Sequence, residues 1–172
     1  MATKNKSKKI VFFLSLIGLL GSCTQGSKED VKNLQNEISE LKKTIEDLKP
    51  GLGDVMGAIQ QHHVKLFFAG KNSNWDLSKF EFHEIQEGFE AATRWHDKIE
   101  GVETPVSELI KIKDASMQEL ESAIEKRSKD HFLIAFGHLT AACNECHVSA
   151  NHQFIVIQEP KSLLFTNQKF EK

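Results

Sequence analysis

The stretch DHFLIAFGHLTAACNECHV, residues 130–148, decides the fold. Phe132, Ala135, Phe136, Leu139 and Ala142 recur at three- and four-residue intervals, the spacing of one apolar face on an α-helix. The stripe runs directly into Cys143, and no strand pattern precedes it. Cysteines, histidine and helix therefore belong to one element, and that element needs other helices to cover it.

Working back toward the N-terminus, three more helices are expected. The first covers about 52–69, with Leu52, Val55, Met56, Ile59, Leu66 and Phe67 as its stripe and Gly70 as its stop. His62 and His63 fill the slots where the next apolar turn should be. The second covers about 77–99, with Phe82, Ile85, Phe89 and Ala92 on one face. Thr104-Pro105 opens the third, a capping hydroxyl followed by a proline whose missing N–H costs nothing at a helix start. Val106, Ile110, Met117, Leu120 and Ile124 line it. Four helices joined by short turns predict an all-α, antiparallel four-helix bundle. Phe154-Ile155-Val156-Ile157 and Leu163-Leu164-Phe165 make a short irregular C-terminal extension, so the bundle domain occupies 50–172.

Upstream of Pro50-Gly51, Val31, Leu34, Ile38, Leu41, Ile45 and Leu48 alternate in steps of three and four. This is an a/d seam with β-branched residues at a and leucine at d, the choice that favours parallel dimers. It predicts an amphipathic or coiled-coil helix over 31–49 and a homodimer through 31–48. At under three heptads it stands at the short end of what holds together alone, so an amphipathic stalk on its own domain is the plainer alternative. Residues 23–30 are polar and read as a tether.

Residues 1–22 carry Lys4, Lys6, Lys8 and Lys9, then an apolar run over 10–20, then small residues. That is the layout of a secretory signal, and the apolar run is about half the length a membrane span needs. Leu20-Gly21-Ser22-Cys23 resembles the lipobox of bacterial lipoproteins. The resemblance implies acylation of Cys23, attachment to a bilayer, and a membrane-anchored localisation, the outer membrane foremost, with the folded part periplasmic or surface-exposed. Removing the four leader lysines from the 22 basic side chains leaves 18 against 24 acidic ones, a formal charge of −6. Such a balance argues against a nucleic-acid surface, which needs clustered positive charge.

The motif Cys143-Asn144-Glu145-Cys146-His147 carries the chemistry expected of the chain. Two thiols at this spacing add across the two vinyl groups of a haem, and the adjacent histidine reaches its iron. A thioredoxin-like redox pair would sit at a helix start behind a strand. A zinc site would want a further ligand, and a plain disulfide would make His147 a coincidence.

Helical architecture together with Met56 in the first bundle helix and CxxCH in the last resembles the class II cytochromes c, over roughly 52–148. The resemblance implies one covalent haem c, with Cys143 and Cys146 as attachment points and His147 as axial ligand. The sixth position lies open between Met56, His63 and His62, or is vacant. Met56 reads equally as a core methionine. His83 and Trp75 are expected as polar groups of a haem pocket, although a solvated helix face is the plainer account of His83, Glu84 and Glu87. The implied function is one-electron transfer, as a carrier rather than an enzyme, with a periplasmic or membrane redox protein as partner. A five-coordinate haem binding nitric oxide or carbon monoxide is the alternative.

Overall fold

The computed structural model describes residues 23–171, so the leader over 1–22 lies outside the described residues. The chain divides into two units, one ending at Lys49 and the other running from Pro50. The first contributes a single helix, α1 (Cys23–Leu48), which takes in the polar residues 24–30 as well as the heptads. Its apolar seam is solvent-exposed throughout, from Ile38 at 50% to Leu48 at 76%.

The second unit contains five α-helices rather than four. They are α2 (Leu52–Lys71), α3 (Trp75–Trp95), α4 (Val106–Leu109), α5 (Asp114–Glu125) and α6 (Lys129–Ser149). No strand occurs among the described residues. The expected third helix is interrupted by a 3-10 turn over Ile110–Lys113, which separates α4 from α5. Its buried stripe of Val106, Leu109, Ile110, Met117 and Leu120 passes through the interruption unbroken. Beside the break the Ser116 hydroxyl donates to the Lys113 carbonyl at 2.8 Å. A hydroxyl taking an i−3 carbonyl competes with the α-helical ladder and suits the tighter turn.

Helix α2 packs on α3, and α5 on α6, while α2–α6 and α3–α5 contacts close the bundle. Pairs across α2 and α6 run in opposite senses: His63 meets Thr140, whereas Gly70 lies against Phe132. The Gly70 contact revises the reading of that residue as a helix stop. Helix α2 continues through Lys71, and a Cβ on Gly70 would stand 2.1 Å from the Phe132 ring. Glycine is there to let the ring in, and the same logic holds where Gly88 of α3 accommodates Ile59. Phe67, Phe132, Phe136 and Leu66 are almost fully enclosed at the centre. Burial of such side chains contributes roughly 1.5–3 kcal/mol each.

The C-terminal extension, 150–171, has no regular structure but is fixed at both ends. Phe170 is buried with its ring edge-on to Phe68 at 6.4 Å, and its carbonyl accepts from Asn74 Nδ2 at 3.2 Å. Between the anchors, Lys65 Nζ lies 4.9 Å from the Phe165 ring centroid.

Candidate functional site

The last turns of α6 and the segment that follows form the site. Asn144 holds Ile157 by two hydrogen bonds: its Nδ2 donates to the Ile157 carbonyl at 2.9 Å, and its Oδ1 accepts from the Ile157 N–H at 2.7 Å. One turn on, His147 Nδ1 donates to the Ile155 carbonyl at 2.9 Å. A carbonyl only accepts, so this bond sets the proton of a neutral ring on Nδ1. Three bonds thus strap an extended 155–157 segment across the end of the helix. His152 continues the site, its Nδ1 2.6 Å from the Ala150 carbonyl and its ring 5.4 Å from Phe154.

The backbone groups of Ile155 and Ile157 are bonded, while the side chains of Ile155 and Val156 stand exposed. Phe154 is 76% and Val156 71% exposed, and Val148 and Leu164 are exposed as well. Asn144 was a residue to which sequence reasoning assigned no role. An amide that pairs with one residue's N–H and C=O imitates a neighbouring strand, and nothing in its sequence context announces that.

Cys143 and Cys146 are free thiols, partly buried on the same helix. Burial, and then the neighbouring Cys146, push the Cys143 thiol up to about 11. Burial and then Glu145 raise Cys146. Cys146 stands in the last turn of α6, where the negative dipole end also disfavours a thiolate. At neutral pH the pair is protonated and weakly nucleophilic, the reverse of an active-site dithiol.

The residues expected to complete a haem site are engaged elsewhere. His63 is buried, and its Nε2 lies 3.0 Å from Thr140 Oγ1. Thr140 spends its own proton on the Phe136 carbonyl, so His63 Nε2–H is the donor. Desolvation lowers the His63 pKa to about 4 and keeps the ring neutral. His62 Nδ1 bonds Glu81 Oε2 at 2.7 Å, and its Nε2 is 3.8 Å from Glu84. Glu81 is itself buried, with Oε1 lacking a hydrogen-bond partner. Met56 packs against the core. Trp75 is buried edge-on to Phe132 at 6.1 Å, whereas His83 is exposed and lies 3.4 Å from Glu87 on the same helix face. His138 lies 2.6 Å from Glu119 on the surface.

These positions correct the cofactor reading. Among the described residues no group of three or more His, Cys, Asp or Glu side chains stands together where it could hold a metal ion. The haem c expected at Cys143, Cys146 and His147 does not stand, nor does the class II cytochrome c likeness built on it. One-electron transfer through iron and the binding of nitric oxide or carbon monoxide fall with them. The physical reason is that CxxCH supplies ligands from one helix only, and the histidines expected opposite are bonded into the core. Among the described residues, no helix is long and apolar enough to cross a membrane. No known protein family, curated protein or solved structure matches the chain.

Proposed function

We propose that the chain is a lipid-anchored envelope protein whose bundle docks another exported protein through the strapped end of α6, without catalysing a reaction. The observation that carries this reading is a backbone fixed by Asn144 and His147 beneath exposed Phe154 and Val156. Ordering a chain segment costs roughly 1–2 kcal/mol per residue. Spending that cost to hold apolar side chains in water makes sense where a second surface covers them. The protonated dithiol supports a docking role over a catalytic one, because a thiol held near 11 is a poor nucleophile.

Attachment rests on the leader layout and Cys23. Helix α1 then provides a spacer of 26 residues, about 39 Å of helix at the standard rise. The implied partner is an exported protein with an apolar groove.

Two measurements test the proposal. Metabolic labelling with a fatty-acid probe should mark the full-length protein and miss Cys23→Ser, which should leave the membrane fraction. A photo-crosslinking residue at position 154 should join one discrete protein, and Val156→Ser should weaken that adduct. Unlabelled wild type would overturn the anchor; a 154 probe that captures nothing above an equivalent probe at Lys79 would overturn the docking role.

A further inference from the structure

We infer that α1 pairs with α1 of a second copy of this chain as a parallel, in-register, two-stranded coiled coil over residues 31–48. The inference uses the acyl anchor proposed above only as support for the parallel sense, and it stands on the helix itself.

The seam is the first ground. Val31, Ile38 and Ile45 occupy a, while Leu34, Leu41 and Leu48 occupy d, and all six are at least half exposed on a well-formed helix. β-branched residues at a with leucine at d specify two strands, because the packing angles at the two layers differ. The flanking positions carry charge of opposite sign on opposite sides of the seam. The e positions are Gln35, Lys42 and Lys49, and the g positions are Asp30, Glu37 and Thr44.

That division selects the orientation. In a parallel pair each g residue meets the following e residue of the partner, so Glu37 of each copy meets Lys42 of the other, twice by symmetry. In an antiparallel pair with Leu34 opposite Ile45, g faces g and e faces e, so Glu37 falls against Thr44 and Lys42 against Gln35, and the Glu37–Lys42 attraction is lost. Charge at e and g sets partner and direction in this way. Acylation at Cys23 would begin both helices in one leaflet, which favours the same sense and raises effective concentration. Under three heptads are marginal in free solution; the bilayer removes part of that cost.

The test uses full-length acylated protein in its own membranes. Leu34→Cys places a thiol at the seam, and Asn36→Cys places one at the outward f position. Mild oxidation should convert Leu34→Cys to a covalent homodimer at least about ten-fold faster than Asn36→Cys. In an antiparallel pair Leu34 would face the Ile45 layer, 11 residues or about 16 Å of helix away, and no such homodimer would form. Equal rates for the two variants would overturn the pairing, and so would capture of a different protein by Leu34→Cys. Glu37→Lys should slow the Leu34→Cys crosslink about five-fold, as two attractive pairs become repulsive, and adding Lys42→Glu should restore it. No response to Glu37→Lys would overturn the g–e register. Repeating the crosslink in Cys23→Ser separates the two ideas. A variant still in the membrane fraction sinks the anchor, while a seam crosslink that persists there keeps the coiled coil.

Discussion

Helices α1 and α2 carry apolar stripes of similar density and treat them in opposite ways. In α2, Leu66 and Phe67 are wholly enclosed and even a glycine hydrogen at position 70 is in contact with a ring. In α1 every seam residue is exposed. Periodicity announces that a face wants cover; it does not say what supplies it. For α2 the cover is α3 and α6, and the closeness of that fit is written in Gly70 and Gly88 rather than in the leucines.

The contrast is strongest in a pair of matched truncations. Leu66→Ala should lower the stability of the bundle by about 3–4 kcal/mol, the transfer and cavity cost of an enclosed leucine. Leu41→Ala should leave the bundle's denaturant midpoint unchanged. A common response would mean that the two units unfold as one.

Acid should separate them next. His63 has its pKa lowered to about 4 by burial, so the unfolded chain takes up a proton first as pH falls. The stabilisation is complete above pH 6.5 and is lost progressively between 6.5 and 4, by about 3 kcal/mol. Helicity of the bundle followed in urea across that range should decline in wild type and stay nearly flat in His63→Gln. A flat wild-type curve would show that His63 is not held in its enclosed position.

Thiol reactivity sharpens the same distinction. A cysteine installed at Asn36 of α1 should alkylate about 100-fold faster than Cys143 at pH 8, since two pH units separate the buried thiol from an ordinary one. Rates read by mass spectrometry with a neutral alkylating reagent should converge only near pH 11. The smallest effect belongs to Gly70→Ala, which should cost about 2 kcal/mol by overpacking. Phe132→Leu in the same chain should recover part of it, whereas Gly57→Ala, with open space at its Cβ, should be neutral or stabilising.

Much of the bundle was legible. The stripes of 52–69 and 130–148 correspond to observed helices, because buried faces repeat at the helical period. A helix also begins after Thr104-Pro105, but Pro105 takes the cap position and no Thr104 hydroxyl caps it. The 3-10 interruption left no trace in that period, since its stripe stays in phase. Gly70 misled because glycine ends helices far more often than it admits a ring. Phe170, the enclosed anchor of the tail, sits in a segment with no periodicity to mark it. At the site, the five-residue motif located Cys143, Cys146 and His147 on one helix end but could not say what stood opposite. That was decided by Thr140, on the motif's own helix, binding His63, and by Glu81, on α3, binding His62.

The Asn144 clamp carries one more consequence. Its amide stands between the two cysteines in sequence and gives Ile157 one donor and one acceptor. Conversion of that amide to a carboxylate, the ordinary chemical ageing of asparagine, would replace the donor with a negative oxygen facing a carbonyl. The strap would then let go at Ile157, and the chain would carry its own clock for how long that end of the bundle keeps its shape.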